Sequence, residues 1–262
     1  MKYLIANWKM NPETRPEVER WMATYAASGG MQNGQCRVVV CPPFVWLPVV
    51  ADRHPAGISI GAQDVFWETK GAWTGEISAG MLKGIGCAYV IVGHSERRAL
   101  GESDAAINAK LKAAIEAGLT PILAVGEKSR KFTRQGTVDH DVDEILEMQL
   151  KGALRDIPKT KLKEFVIAYE PVWAIGTGMV ANSDDALRAA LFIRKTVAEI
   201  AGQPRLRKTL PVLYGGSVTA KNISPFLEED GLDGVLVGAA SLDVGEFLEM
   251  QRQAAERPTT GN

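Results

Sequence analysis

The sequence predicts an α/β protein of a single domain, built as a (β/α)8 barrel with eight parallel strands. Short β-rich runs alternate with helical patterns along the 262 residues, a length that one such barrel accounts for. The strand runs are apolar throughout rather than alternating, as expected of parallel strands covered on both faces. No low-complexity linker divides the chain.

Eight strands are predicted, and an open, doubly wound sheet is the alternative to closing them into a barrel. Such a sheet normally carries a glycine-rich turn after its first strand, but residues 7–11 read Asn-Trp-Lys-Met-Asn. The barrel is therefore favoured. In chain order the predicted strands are residues 3–6, 37–41, 58–62, 88–92, 121–125, 165–169, 211–214 and 234–237.

Helical patterns fill several of the intervals between strands. Pro16 suits the first turn of a helix. Ser183 is the expected N-cap of a later helix, with Asp184 and Asp185 in its first turn, where the helix dipole favours negative charge. We assign residues 1–256 to the barrel domain and residues 257–262 to a polar C-terminal tail. The predicted helices are residues 16–28, 104–117, 138–155, 183–201 and 243–255.

Composition excludes several classes of protein. A formal net charge of −1 and a pI of about 6.4 argue against a nucleic-acid surface, which needs a basic stripe. Cys36, Cys41 and Cys87 lack metal-ligand spacing and lie in apolar surroundings, so we expect buried thiols in a reducing compartment. With three histidines, a histidine-rich metal site is not expected. The apolar stretch near Met1 is too short for a signal peptide or a membrane span, so a cytoplasmic location follows.

Polar residues and glycines follow most of the predicted strands. In a barrel of this kind the chemistry sits at the C-terminal ends of the strands. These residues should therefore gather at one end of the barrel. They are Asn7 and Lys9 after the first strand, Gln63 and Asp64 after the third, His94, Ser95 and Glu96 after the fourth, Glu127 after the fifth, Glu170 after the sixth, Gly215, Gly216 and Ser217 after the seventh, and Gly238, Ala239, Ala240 and Ser241 after the eighth.

The segment from 165 to 178 is the most informative. Its apolar run ends in the carboxylate Glu170, after which Pro171 stiffens the chain and Gly176 and Gly178 loosen it. This pattern is typical of a catalytic base on a rigid mount, followed by a mobile lid. Taken alone, a surface glutamate before an ordinary turn explains the segment equally well.

Four segments resemble the signatures of the triosephosphate isomerase family. They are residues 6–11 (Ala-Asn-Trp-Lys-Met-Asn), 93–98 (Gly-His-Ser-Glu-Arg-Arg), 168–178 (Ala-Tyr-Glu-Pro-Val-Trp-Ala-Ile-Gly-Thr-Gly) and 214–218 (Tyr-Gly-Gly-Ser-Val). Their order and spacing match, and the resemblance covers roughly residues 2–252. It implies a TIM barrel and a cofactor-free isomerase of glycolysis and gluconeogenesis. This family interconverts dihydroxyacetone phosphate and D-glyceraldehyde 3-phosphate through an enediol(ate).

The resemblance also implies roles for individual residues. Glu170 would be the base, and His94 a neutral electrophile at the start of a helical turn. Lys9 would supply fixed positive charge, held by Glu96, with Asn7 as its polar neighbour. The phosphate group would be bound by Asn7, Lys9, Gly176, Ser217, Gly238 and Ala239. The lid would comprise Pro171, Val172, Trp173, Ala174, Ile175, Gly176, Thr177 and Gly178.

A homodimer is implied by the long loop from residue 61 to residue 78. In the family this loop reaches the neighbouring subunit, where Thr74 would approach Lys9 and Asn7 of the partner, with Trp73 beside it. The alternative is that the loop's aromatic side chains fold back onto their own barrel.

Several positions depart from the family pattern. Ala239 replaces a glycine in the phosphate-binding turn, where a positive φ would be costly. Trp73 replaces a phenylalanine and leaves open a relative that isomerises tetrulose phosphates. Two functions of a different class also stay open, namely a barrel that binds phosphosugars without catalysis and a metal-dependent aldolase or hydrolase. The remaining departures are Ala6 for glycine, Asp64 for asparagine, Ala124 for cysteine and Met179 for lysine.

Overall fold

The computed structural model of the protein describes residues 1–29, 36–128, 141–175 and 181–256. Eight strands form a closed barrel in which each strand pairs in parallel with the next, and β1 pairs with β8. The predicted (β/α)8 barrel is therefore confirmed. The strands are β1 (Lys2–Asn7), β2 (Cys36–Cys41), β3 (Ile58–Ala62), β4 (Tyr89–Val92), β5 (Thr120–Val125), β6 (Val166–Tyr169), β7 (Val212–Tyr214) and β8 (Gly234–Val237).

Six of the eight strands differ from the predicted ones by one residue, at one end or, in β1, at both. β1, for instance, gains Lys2 and Asn7, which pair with Cys36 and Cys41 of β2. Polar residues at strand ends do not interrupt the ladder, since pairing uses main-chain groups. The closure between β1 and β8 begins at Gly234, whose φ of 144° and close approach to the Tyr3 main chain leave no room for a Cβ.

The helices predicted from sequence are present, within about three residues at each end. The prediction also omitted several shorter helices, because one or two turns give too few apolar repeats to identify. The helices are α1 (Arg15–Ala27), α2 (Leu47–Arg53), α3 (Ala79–Ile85), α4 (Ser95–Ala99), α5 (Asp104–Glu116), α6 (Asp141–Ala153), α7 (Ser183–Ala201), α8 (Leu206–Thr209), α9 (Ser224–Glu228) and α10 (Val244–Glu256). The predicted residues 138–140 of α6 and the tail at 257–262 lie outside the described residues.

The predicted N-cap of α7 was wrong by one residue. Asn182 is the N-cap, with extended backbone dihedrals, and its side-chain oxygen accepts a hydrogen bond of 2.7 Å from the Asp185 N–H. Ser183 is the first helical residue. Both residue types cap helices well, so only the backbone conformation decides between them.

The core has two layers, and together they explain why the strands are apolar throughout. One layer fills the barrel and includes Ile5, Ile91, Ile122 and Leu213. The other lies between the strands and the surrounding helices, and there β1 contributes Leu4 and Ala6, on the opposite face from Ile5. No helix in the described part of the chain is long and apolar enough to span a membrane.

Candidate active site

A cavity of about 240 Å³ opens at the C-terminal ends of the strands. It brings together side chains from loops that are far apart in sequence, because all eight strands run in the same direction. Among the residues predicted for the site, Gly176, Thr177 and Gly178 lie outside the described residues. Those that do not line the cavity are Glu96, Trp73, Thr74, Pro171, Val172, Trp173 and Ala174. Those that line it are Asn7, Lys9, His94, Glu170, Ile175, Ser217, Gly238 and Ala239.

Glu170 lies one residue beyond the end of β6 and is almost completely buried. Its Oε1 is 3.1 Å from Nε2 of His94, and its Oε2 accepts a 2.8 Å hydrogen bond from the main-chain N–H of Ser95. The Glu170 main chain continues the ladder by donating to the Val125 carbonyl. Glu170 is therefore held through both its main chain and its side chain.

His94 forms the N-cap of α4 and lines the cavity. The His94 carbonyl accepts hydrogen bonds from the main-chain N–H groups of Arg97 and Arg98, and Nδ1 accepts one of 3.2 Å from the Glu96 N–H. Because Nδ1 acts as an acceptor, the ring proton is assigned to Nε2, the nitrogen that faces Glu170.

Lys9 reaches the cavity from a left-handed backbone conformation, with a φ of 53°. Two side chains hold its main chain. Asn7 accepts from the Lys9 N–H at 3.1 Å, and Gln63 donates to the Lys9 carbonyl at 2.9 Å and to the Cys41 carbonyl at 2.8 Å. The Lys9 ammonium forms a 2.5 Å ion pair with Glu96. Gln63 was noted from sequence as a strand-end residue, but its contacts with Lys9 required the structure.

The turn after β8 carries Gly238 and Ala239 to the cavity. Ala239 opens a 3₁₀ turn that runs from Ala239 to Leu242. Within the described ranges the non-glycine residues with positive φ are Lys9 and Asp156, so the expected backbone cost of an alanine at 239 does not arise. Ala239 is exposed and lines the cavity.

The first half of the predicted lid is anchored to the end of β5. Trp173 donates from its indole nitrogen to a Glu127 carboxylate oxygen at 2.8 Å, and the Val172 N–H donates to the Glu127 carbonyl at 3.0 Å. On the other side of the cavity, the Ser217 hydroxyl donates to the Ala174 carbonyl at 2.6 Å. The remaining lid positions, Gly176, Thr177 and Gly178, and the departure at Met179 lie outside the described residues.

The loop predicted to contact a second subunit is partly folded on itself. Phe66 is buried, and its ring centroid lies 4.1 Å from that of Trp67 and 5.0 Å from that of Trp73. Trp73 nevertheless remains 49% exposed, and Thr74 is exposed beside it. Within one chain, the alternative that the aromatic side chains of the loop fold back onto their own barrel therefore holds for Phe66 but not for Trp73.

Two further observations bear on metal and thiol chemistry. Across residues 1–29, 36–128, 141–175 and 181–256, no group of three or more His, Cys, Asp or Glu side chains could hold a metal ion. All three cysteines of the sequence are free thiols; Cys41 and Cys87 are buried as expected, whereas Cys36 at the start of β2 is only partly buried. Burial raises the pKa of Cys87 to about 11 and that of Cys36 to about 12.

Comparison with known proteins gives a consistent result along the chain. The family model described as triosephosphate isomerase matches residues 2–254. The triosephosphate isomerase of Dictyoglomus turgidum is 43% identical over 255 residues, covering 96% of this chain and 98% of that protein. That of Moorella thermoacetica is 42% identical and covers 93% of this chain and 95% of that protein. That of Halorhodospira halophila is also 42% identical and covers 97% of this chain and 98% of that protein. The chain therefore belongs to the triosephosphate isomerase family.

Proposed function

We propose that this protein interconverts dihydroxyacetone phosphate and D-glyceraldehyde 3-phosphate through an enediol(ate), without a cofactor. The observation that carries the proposal is the convergence of Asn7, Lys9, His94 and Glu170 on one small cavity, in a chain of this family. The reaction moves a proton between adjacent carbons. It needs a base, a group that polarises the carbonyl, and a site that binds the phosphate.

Glu170 is the base in this proposal. Its carboxylate takes the proton from one substrate carbon and returns it to the neighbouring carbon. In the present geometry Oε2 accepts from Ser95 and Oε1 lies beside His94, so the carboxylate is held at the cavity wall. A carboxylate becomes a stronger base when water is excluded from around it.

His94 and Lys9 act on the substrate oxygens. The Nε2–H of His94 donates to the carbonyl oxygen and can pass a proton between the two oxygens of the enediol(ate). The Lys9 ammonium, with Asn7 beside it, stabilises the negative charge that develops there. The ion pair with Glu96 limits where that ammonium can lie.

The phosphate group is bound at the opposite side of the cavity. The proposed contacts are Lys9 together with groups of Ser217, Gly238 and Ala239, and glycine at 238 allows the backbone to approach an anion closely. The lid, Pro171 to Gly178, would close over the substrate, and Gly176 would add a main-chain N–H. Exclusion of water protects an intermediate that can otherwise eject its phosphate.

A coupled assay with D-glyceraldehyde 3-phosphate tests this function, with Glu170→Gln as the comparison. General-base assistance is typically worth roughly 10²–10⁴ in rate, so the variant should lose that much kcat while its thermal melt stays unchanged. If the kcat of the parent is no higher than that of Glu170→Gln, the protein is a phosphosugar binder rather than an isomerase. Faster turnover of a tetrulose phosphate would favour the four-carbon substrate, although Trp73, the residue that suggested it, does not line the cavity.

We further infer a cytoplasmic location, because the free thiols suit a reducing compartment.

We also infer a homodimer, because the exposed Trp73 and Thr74 are available to a second copy of the chain. Sedimentation should give twice the chain mass of 28.3 kDa. Thr74→Arg should shift the population towards monomer, whereas Leu191→Arg on exposed α7 surface should not. A parent that sediments as a monomer would contradict the dimer.

A further inference from the structure

Trp21 occupies the centre of a buried aromatic cluster, which we define as Trp8, Trp21, Tyr25 and Phe247. The Trp21 ring centroid lies 5.2 Å from that of Trp8, 5.3 Å from that of Tyr25, onto which it stacks, and 5.6 Å from that of Phe247. These residues come from the β1 end, from α1 and from α10. Trp21 does not line the active-site cavity.

The Trp21 side chain contacts the turn that follows β8. Its indole N–H donates a 3.0 Å hydrogen bond to the Ser241 carbonyl. Ser241 is completely buried, and both its N–H and its hydroxyl donate to the Gly238 carbonyl, at 2.9 and 2.6 Å. Trp21 and Ser241 therefore form a chain of hydrogen bonds that ends on Gly238.

The same ring also supports the Lys9 side of the site. Trp8 lies directly between Asn7 and Lys9 in sequence, and it packs edge-on against Trp21. The main-chain N–H of Trp8 donates a 3.1 Å hydrogen bond to the Cys41 carbonyl. Lys9 and Gly238 also adjoin, since a Cβ on Gly238 would lie 3.4 Å from Cε of Lys9. Trp21 is thus in contact with both segments that flank the phosphate side of the cavity.

We propose that Trp21 is a positioning residue for phosphate binding, acting through the Ser241 carbonyl on the turn that presents Gly238 and Ala239. The inference rests on the proposed function for the identity of the substrate. A hydrophobic contact alone would leave the turn free to shift along the ring, whereas a directed N–H to a buried carbonyl fixes its register. The N–H is therefore the specific group that sets where the turn lies.

The test compares Trp21→Phe with Tyr25→Phe. Each variant keeps an aromatic ring and loses one hydrogen bond donated by a member of the aromatic cluster. The Tyr25 hydroxyl donates to the Gln251 side chain at 2.7 Å rather than to the turn. The readouts are the inhibition constant of inorganic phosphate, KM, kcat and the melting temperature. Trp21→Phe should raise the inhibition constant and KM by roughly two- to tenfold, the scale of one lost hydrogen bond, with a smaller effect on kcat. Tyr25→Phe should leave both binding constants within about twofold of the parent.

A purely structural role for Trp21 predicts a different result. Both variants would then lower the melting temperature, and neither would change phosphate inhibition, which would overturn the proposal. If Trp21→Phe fails to fold, 3-benzothienylalanine placed at position 21 keeps the two-ring shape without the N–H donor, and the same increase in the inhibition constant is expected. If the parent shows no isomerase turnover, the proposed function fails, whereas a chemical-shift titration with inorganic phosphate still compares the variants.

Discussion

Gly126 lies directly beside the proposed catalytic base, at the C-terminal end of β5. A Cβ built on Gly126 would lie 1.8 Å from the carbonyl oxygen of Glu170, far inside any tolerated contact. The Gly126 N–H and carbonyl are also both hydrogen bonded to the Gln149 side chain at 2.9 Å, so this segment has little room to shift. Glycine is required here by the approach of two main chains rather than by an unusual dihedral angle.

Gly126→Ala should therefore displace Glu170. A catalytic group moved by about 1 Å can cost on the order of 10²-fold in rate, and the forced overlap should lower the free energy of unfolding by about 1–3 kcal/mol. Steady-state kinetics and denaturant unfolding measure the two effects. The control is Gly84→Ala in α3, where a Cβ meets nothing within 4 Å and alanine is the better helix former. Normal kcat in Gly126→Ala would contradict the inferred contact.

At the scale of single residues, the sequence suggested the candidate catalytic groups more readily than the residues that support them. Glu170, His94 and Lys9 follow strands in segments that resemble known signatures. Gln63, which holds the Lys9 carbonyl, and Trp21, which holds the turn at Ser241, carry no such signature. Their partners are distant in sequence, and an amide or indole among apolar residues gives no indication of the carbonyl that it will meet.

The elements follow from local patterns, but their caps depend on backbone geometry. Asn182 and Ser183 are adjacent and both suit an N-cap. The extended dihedrals of Asn182, φ −73° and ψ 160°, make it the cap of α7. This helix begins five residues after Gly178, the last position of the predicted lid.

Asn182→Ala should destabilise the protein by about 0.5–2 kcal/mol, because the N–H of Asp185 loses its side-chain acceptor. Ser183→Ala, at the first helical position, should be neutral within about 0.5 kcal/mol. Denaturant unfolding of the two variants under the same conditions provides the measurement. Equal destabilisation by both substitutions would show that the cap is shared or lies at 183.

At the scale of the whole molecule, we define an ion cluster as Asp64, Arg97, Glu102 and Lys110, in which every side chain except that of Arg97 is largely buried. Lys110 is buried and donates to both carboxylate oxygens of Asp64, at 2.7 and 2.9 Å, and also to Glu102. Arg97 contacts Asp64 at 2.7 Å and Glu102 at 3.2 Å. The cluster connects the end of β3 with α4 and α5, and its two acidic and two basic groups balance in charge.

Burial raises the pKa of Asp64, and the hydrogen bond and charge of Lys110 and the charge of Arg97 only partly offset this increase. Between the unfolded and the higher folded pKa, the folded protein binds more protons than the unfolded chain. The contribution of Asp64 to stability is thus fully present below its unfolded pKa and is lost as pH rises through the folded value. The unfolding free energy of the parent minus that of Asp64→Asn should therefore fall as pH rises.

Glu249 should show the opposite dependence and serves as the control. Hydrogen bonds from Arg252 and then Gln253 lower its pKa to about 2. Its contribution is present above the unfolded pKa and is lost as pH falls through the folded value. Unfolding free energies of the parent, Asp64→Asn and Glu249→Gln are measured over a pH series. They test whether the stability contributions of Asp64 and Glu249 change with pH in opposite directions. If the unfolding free energy of the parent minus that of Asp64→Asn grows as pH rises, the raised pKa of Asp64 is contradicted.

The sequence by itself determined the order of the strands and of the longer helices, the closed barrel class and the end of the barrel at which the candidate site lies. These are properties of local apolar patterns and of a parallel topology in which all strand ends meet at one face. Only the tertiary structure decided that Glu170 lies 3.1 Å from His94, that Gln63 holds the Lys9 carbonyl, and that Trp21 reaches Ser241. Those contacts join residues 76, 54 and 220 positions apart. Their distances are set by barrel closure and side-chain packing, which no local pattern encodes.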